Sequence, residues 1–408
     1  MSRLRLAYIV DHLALAVAGT ENQLFKMIPG LSREFDMDLI CLRENNWLTS
    51  QKEYLGSEVR FFQVSNFKRF GTYRNWARMS GYLRSSAPDI VHTFFPVSNI
   101  VGVLAARTAG VPRIVASRRD FGEWMRPVYL KATRVANRFV DRIVTNSARV
   151  RDLTQQVEGF PANRIEVILN GIDLARTARR PADLPLRRSV GIPESDAVVV
   201  LVGNYRPMKR HLTIVEAAAK ILQREPNVSF LLVGGDYEPG QPIQTSVKAL
   251  AETLGITPKF FYAQAAEGET PRFLSFANVG VNCSQGEGIS NAIMEYMASE
   301  IPCVAAASGG NPDLVAHGKT GLLFELGNAD QLAEGVLRLL TDRAEGERLA
   351  AAALNELSAR MSIPAMVSQF SEFYRGLACA RDVADEIPLT GPKREGVGKP
   401  VSPGCERS

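Results

Sequence analysis

Val279-Gly280-Val281-Asn282-Cys283-Ser284-Gln285-Gly286-Glu287-Gly288-Ile289-Ser290-Asn291-Ala292-Ile293-Met294-Glu295 is the stretch whose reading decides the fold. Val279–Asn282 reads as a buried strand, a Gly-containing loop follows, and Ser290 or a neighbour caps a helix. A strand that runs through a loop into a helix is the repeating unit of a parallel α/β sheet. The same alternation continues outward in both directions. Before it, strands are expected at Ala197–Gly203, Val228–Val233 and Lys259–Tyr262; after it, at Pro302–Ala305 and Gly321–Phe324. The first half repeats the pattern at Leu6–Val10, Asp38–Leu42, Asp89–His92, Arg113–Ala116, Arg142–Thr145 and Ile165–Leu169. Two sets of about six strands each make a complete doubly wound sheet.

The 408 residues fit two domains rather than one core. We expect a first Rossmann-like domain over 1–175 and a second over 190–362. The break falls near Asp173–Pro193, where Arg, Pro and Asp accumulate and periodicity fades. Helical patterning returns at Asn328–Leu340 and near Ile363–Ala378; a helix over about 363–381 is expected to pack back on the first domain. The stretch 387–408 is rich in Gly, Pro and charge and reads as a disordered tail. Ligands in such sheets bind beyond the carboxyl ends of the strands, so two domains facing a cleft place their chemistry in the loops after the strands.

Composition narrows the class. At 46% apolar and 22% charged, the chain is that of a globular protein. No apolar run approaches the roughly 20 residues needed to span a bilayer. Leu6–Ala18 follows two arginines, as in a signal peptide, but Asp11 and His12 interrupt it, so it reads as a first strand and loop. Five cysteines without close pairing argue against a disulfide framework or a Cys-based zinc site and make a reducing cytosol the default. Met1–Arg180 carries 27 Lys+Arg against 16 Asp+Glu; the remainder carries 21 against 27. A basic first half suggests an anionic contact, a phosphorylated lipid or membrane surface being one candidate and nucleic acid another.

Three loops in the second half carry residue types suited to one chemistry. Glu287 lies in the loop after Val279–Asn282 and Glu295 about one turn into the helix, so both carboxylates can accept from hydroxyls in one volume above the sheet. Taken alone, they also fit solvated glutamates flanking a helix start. Ser308-Gly309-Gly310-Asn311-Pro312-Asp313 is a Gly-Gly turn with Asn as cap and Pro at the first helical position, where backbone amides can approach an anion such as a diphosphate. Gly203-Asn204-Tyr205-Arg206-Pro207-Met208-Lys209-Arg210 brings cations to a strand end, where they can neutralise a leaving diphosphate.

Together these loops resemble the family 4 glycosyltransferases. Leu169-Asn170-Gly171-Ile172-Asp173 and Asn146-Ser147 add to the resemblance, which runs from about Leu6 to Tyr374 and is most specific in the second half. It implies the GT-B fold and retaining transfer of a sugar from a UDP- or GDP-sugar, with front-face attack and a donor phosphate oxygen taking the acceptor proton. It implies that Glu295 holds the ribose, Glu287 meets the donor sugar, Lys209 with Arg206 clamps the diphosphate, and amides at Gly309, Gly310 and Asn311 hold sugar or phosphate oxygens. Gly203, Ser290 and Asn291 complete the donor side; Gly19, Thr20, His92 and Arg119 stand on the acceptor side. No cofactor is implied, the nucleotide sugar being itself a substrate. The family's Arg after the strand-end Gly is Asn204 here, its Gly-Gly in the first loop is Ala18-Gly19, and its His in the first half is replaced near Arg119. Thr20 and Gln23 are expected to form a capping box aimed at the cleft.

Other signals are set aside. Asp36-Met37-Asp38 mimics a metal-binding Asp-x-Asp but begins a strand, the wrong end for a ligand. The four histidines lack metal spacing, and no Gly-x-Gly-x-x-Gly follows a strand. Lys131, Arg134, Arg138 and Arg142 form one basic stripe; Lys68, Arg69, Arg74 and Arg78, interleaved with aromatics, form a second, suited to a solvated face or to anionic lipid. The reading is thus a hexosyltransferase acting on a lipid-linked or saccharide acceptor, without nucleic acid, in the cytoplasm or on the inner face of the membrane. A nucleotide-sugar 2-epimerase-like isomerase of the same fold is the alternative, and it lacks a convincing acid–base set here.

Overall fold

In the computed structural model, residues 3–13, 19–64, 70–120, 122, 126–236, 238–266 and 268–379 are described. The expected tail at 387–408, Ala18, and Lys68 and Arg69 of the second basic cluster lie outside them.

Two parallel sheets are present. The first orders its strands β3-β2-β1-β4-β5-β6-β7, with β1 Arg5–Val10, β2 Asp36–Cys41, β3 Glu58–Phe61, β4 Ile90–Phe94, β5 Arg113–Arg118, β6 Arg142–Thr145 and β7 Ile165–Val167. The second runs β10-β9-β8-β11-β12-β13, with β8 Ala197–Val202, β9 Val228–Val233, β10 Phe260–Ala263, β11 Val279–Asn282, β12 Cys303–Ala306 and β13 Leu322–Phe324. The first sheet has one strand more than expected. Glu58–Phe61 is a four-residue edge strand with no buried side chain, so no hydrophobic signal marks it.

Alternating side chains feed two packed layers per sheet, as a strand covered on both faces requires. Leu6, Tyr8 and Val10 enter one layer, Ala7 and Ile9 the other. Val199 and Leu201 part from Val198 and Val200 in the same way. In both sheets the order reverses beside the first strand, placing the cleft-side loops of β1, β4 and β5, and of β8, β11 and β12, next to one another.

The chain crosses between the sheets twice, and the crossings bind each other. Ile172 N donates to Met361 O at 2.8 Å, and Ile363 N to Ile172 O at 3.1 Å. Gly171 is required there, because a Cβ would stand 3.0 Å from Ile363 Cα. After the second crossing, helix Ile363–Cys379 returns to the first domain and buries Met366, Val367, Phe370 and Tyr374 beside Leu6 and Tyr8. Its anchor is polar: the Tyr374 hydroxyl shares hydrogen bonds with Tyr8 Oη at 2.5 Å and His92 Nδ1 at 2.7 Å. Helix Arg343–Arg360, absent from the sequence reading, packs through small residues such as Ala350 and Ala353.

Tyr374→Phe leaves two buried polar groups without their partner. The expected loss is about 1–3 kcal/mol in urea unfolding followed on the first domain; an unchanged midpoint would show that the helix is held by apolar packing alone.

Candidate functional site

Three adjacent loops beyond β8, β11 and β12 are bound to one another. Pro207–Lys209 forms a single 3-10 turn after β8. It folds the Lys209 stem over Gly203, where a Cβ would meet Lys209 Cδ at 3.4 Å. The Lys209 ammonium pairs with Glu287 Oε1, and both side chains are largely buried, at 16% and 14% exposed. Gln285 N donates to Met208 O at 2.7 Å, and Gly310 N to Glu287 O at 2.8 Å. Gly309 holds φ +60°, and a Cβ there would lie 2.5 Å from Glu287 O. The donor-side candidates Gly203, Lys209, Glu287, Gly309 and Gly310 therefore meet in one place.

Glu295 projects from helix Asn291–Ala298 just behind them. Burial lifts its carboxyl to about 7, against the opposing pull of Lys26 and Lys209. Lys26 belongs to helix Gly19–Leu31 of the first domain, so the Glu295 site feels charge from both domains.

Other expected residues take different work. Ser290 occupies the N-cap position but makes no side-chain cap; its hydroxyl accepts from Asn282 Nδ2 at 2.9 Å. Asn311 Nδ2 donates to Asn282 Oδ1 at 3.2 Å and Ala306 O at 3.0 Å. Ser290 and Asn311 thus form a fully buried polar bracket under the loops. The amides of Gly310 and Asn311 are also committed, the latter to Ser308 O at 3.2 Å, which corrects the expectation that they greet an anion. Arg206 is exposed; its carbonyl accepts from Lys209 N at 2.9 Å, so it meets the pair through its backbone. Arg210, a cation of that loop to which the resemblance assigns no role, adopts φ +50° and reaches Gln285 Oε1 at 3.3 Å. Asn204 accepts from Gly235 N at 3.2 Å, lacing the loop where the resembled family has a cation.

On the first domain, Gly19 faces Asn291: a Cβ on it would lie 3.9 Å from Asn291 Nδ2. Thr20 is half-buried in the first turn of helix Gly19–Leu31. Gln23 does not close a box with it, because Gln23 Oε1 accepts from Gly171 N at 2.9 Å. His92 is a core residue rather than an acceptor contact. It is 1% exposed, bonded to Ser117 Oγ at 2.9 Å, and held neutral well below its usual range by burial and by Arg119. Arg119 turns toward the domain crossing, donating to Asn170 Oδ1, and burial lowers it to about 10. A second histidine was missed: His12 lies beyond β1, with Nε2 3.2 Å from Glu21 Oε1 and its ring stacked on Phe95.

Buried polar atoms without partners gather here. Among the described residues they include His12 Nδ1, Arg119 Nε, Asn146 Oδ1, Glu287 Oε2, Asn291 Oδ1 and Asn311 Oδ1. Each costs about 1–3 kcal/mol when left unbonded, and a polyhydroxylated ligand supplies the donors and acceptors that would satisfy several at once. A cavity of about 750 Å³ opens instead at the other end of the first sheet, around Asp36 and Asp38. Two of the carboxylates lining it are engaged, Asp38 by the Tyr82 hydroxyl at 2.6 Å and Glu58 by Lys52 at 2.5 Å, and it lies at the amino ends of the strands, so we place the chemistry at their carboxyl ends.

Comparisons with known proteins give the family and the fold. Residues 184–356 match the family described as glycosyl transferases group 1, and residues 17–176 match glycosyltransferase family 4. The UDP-Gal:alpha-D-GlcNAc-diphosphoundecaprenol alpha-1,3-galactosyltransferase of Escherichia coli is 27% identical over 80% of this chain and 85% of its own. A D-inositol 3-phosphate glycosyltransferase of Salinispora arenicola is 29% identical over 60% of this chain and 61% of its own. In fold, the chain is similar to Anabaena HepE in complex with UDP, with TM-score 0.80, 21% identity, and 91% of this chain and 100% of that one covered. Sucrose-phosphate synthase from Thermosynechococcus elongatus gives TM-score 0.74 at 20% identity, covering 92% and 99%.

Proposed function

The chain belongs to the family 4 glycosyltransferases, enzymes of GT-B fold, and from that premise we propose that it transfers a sugar from a UDP-sugar to a lipid-linked saccharide with retention of configuration. The observation that carries this reading is the Lys209–Glu287 pair, bound to the Gly309-Gly310 turn and backed by Glu295. Of uridine and guanosine, uridine has the support of HepE, solved with UDP and with UDP-glucose, and of the Escherichia coli relative. That relative's acceptor is a diphosphoundecaprenol-linked sugar, which supports a lipid-linked acceptor here.

The chemistry follows from the charges. As the bond from the sugar's anomeric carbon to the diphosphate oxygen breaks, negative charge grows on the leaving group. Lys209, with Arg210 alongside, offsets it from a fixed position; losing one such preorganised partner costs about 10²–10³ in rate. The acceptor hydroxyl bonds to the anomeric carbon on the face the diphosphate leaves, and its proton passes to the departing phosphate oxygen. Glu287 uses Oε1 to hold Lys209 and leaves Oε2 for a donor-sugar hydroxyl. Glu295 accepts from the ribose. These cations supply the neutralisation, so the reading calls for no resident cofactor. The relatives named above are transferases, which favours transfer over the isomerase alternative.

Peripheral contact with an anionic membrane is part of the proposal. Helices Phe70–Ser86 and Pro127–Ala136 flank helix Ser98–Ala109 in one layer of the first domain. Their cleft-side ends carry exposed Phe70 and Tyr73, and Val128 and Tyr129, with Arg74, Arg78, Lys131 and Arg134 exposed beside them. An apolar tip ringed by cations suits an anionic bilayer, at about 1 kcal/mol per basic residue. No helix among the described residues is long and apolar enough to cross one.

Two outcomes follow. Ribose hydroxyls donate best to an ionised carboxylate, so UDP-glucose affinity should be full above about pH 7 and weaken as pH falls through it. Glu295→Gln should bind weakly and without that pH dependence; calorimetry showing wild-type affinity in the variant would remove Glu295 from the pocket. The double variant Phe70→Ser/Arg74→Glu should lose sedimentation with phosphatidylglycerol vesicles while keeping UDP-glucose affinity, and undiminished sedimentation would refute the docking face.

A further inference from the structure

Asp313 ends the Gly-Gly turn of the second domain, yet its carboxylate serves the first. Asp313 Oδ2 accepts from Ala148 N at 2.7 Å. Ala148 is the first residue of helix Ala148–Glu158, whose N-cap Ser147 uses its own hydroxyl on Val150 N, 3.2 Å away. Ser147 therefore leaves the Ala148 amide open, and a carboxylate from the opposite domain closes it at the positive end of the helix. The surrounding contact is backbone-close. A Cβ on Gly310 would stand 3.1 Å from Ser147 Cβ, and one on Gly288 would overlap Arg119 O and lie 2.9 Å from both polar atoms of the Asn146 amide. Gly310 N is in turn bonded to Glu287 O. One continuous set of contacts thus joins the Ala148 helix, the Gly309-Gly310 turn and the Lys209–Glu287 pair.

We propose that Asp313 is the positioning residue that sets the first domain over the sugar-nucleotide loops, by capping helix Ala148–Glu158 across the cleft. The closed arrangement brings Gly19 to Asn291 and Arg119 to Gly288, and so aligns an acceptor with the donor. Asp313 itself touches no reacting atom. The ligand in this inference comes from the transfer reading, whereas the contact itself stands on geometry alone.

The test uses the full chain and changes each partner separately. Asp313→Ala removes the acceptor. Ala148→Pro removes the donor while suiting the helix, because proline is favoured at the first helical position and Ser147 already holds the extended conformation a following proline demands. Loss of a helix cap is worth roughly a tenfold shift between closed and open forms. Small-angle scattering without ligand should show a larger radius of gyration for both variants than for the wild type. UDP affinity should stay within about twofold of wild type, since the loops that hold it are intact, whereas turnover should fall about tenfold. Asp313→Asn, which keeps an accepting oxygen, should recover most of the turnover, and Ala148→Pro should add nothing to Asp313→Ala. A wild-type radius and turnover in both variants would overturn the proposal, as would additive losses. Failure of every form to bind UDP would strike the transfer reading instead, and the ligand-free radii would still decide the role of Asp313.

Discussion

The arrangement depends on three positions where the backbone of one loop touches that of another. Gly288, Gly309 and Gly310 admit no Cβ: each would overlap or crowd a main-chain atom of the neighbouring loop or of the other domain. Interiors tolerate no such overlap. Small residues here are a condition of assembly, drawing the loops of β11 and β12 together and bringing the first domain down on both. Once the backbones are that close, the Lys209–Glu287 pair and the Asp313 cap have the distances they need.

Polar and strained groups concentrate at the same seam. Phe95 and Arg210 hold φ +73° and +50°, a region costly for residues with side chains, and both lie in cleft-side loops. Beneath them, buried hydrogen bonds fix what would otherwise drift: Asn282 ties Ser290 to Asn311, Tyr374 ties the returning helix to Tyr8 and His92, and Asp11 accepts from Val97 N and Ser98 N. His211, stacked on Tyr205 and lowered to about 4 by burial, braces the turn that carries Lys209. Rigid support with unsatisfied atoms above it is the pattern of a preorganised site.

Much of this was legible because the signals are local. A β-branched run, a glycine turn and a helix start lie within about twenty residues at each donor loop, so the strand ends and the acidic and basic residues upon them could be placed from sequence. What stayed hidden depends on distance in the chain or on weak pattern. Thr20 and Gln23 have the spacing of a capping box, but the partner Gln23 actually finds, Gly171, is 148 residues away. His92 ends the cleft-facing strand expected from sequence, a position that suits either an acceptor contact or a satisfied core histidine, and the partner that makes it the latter, Tyr374, is 282 residues away. Asp313 and Ala148 are 165 residues apart and carry no joint signature. Strand Glu58–Phe61 lacks a buried side chain, and the buried face of helix Arg343–Arg360 mixes Gly346, Ala350 and Ala353 with Leu349 and Leu357, so neither shows the strong contrast on which periodicity relies.

The account stands on one claim: the loops of the second sheet make a single pocket for a nucleotide diphosphate-sugar. A crystal structure of the chain soaked with UDP-glucose tests it directly. The account predicts ribose oxygens within hydrogen-bond reach of Glu295, the diphosphate against Lys209 and the glucose beside Glu287. Density for the nucleotide at any other place, with those three side chains untouched, would contradict it.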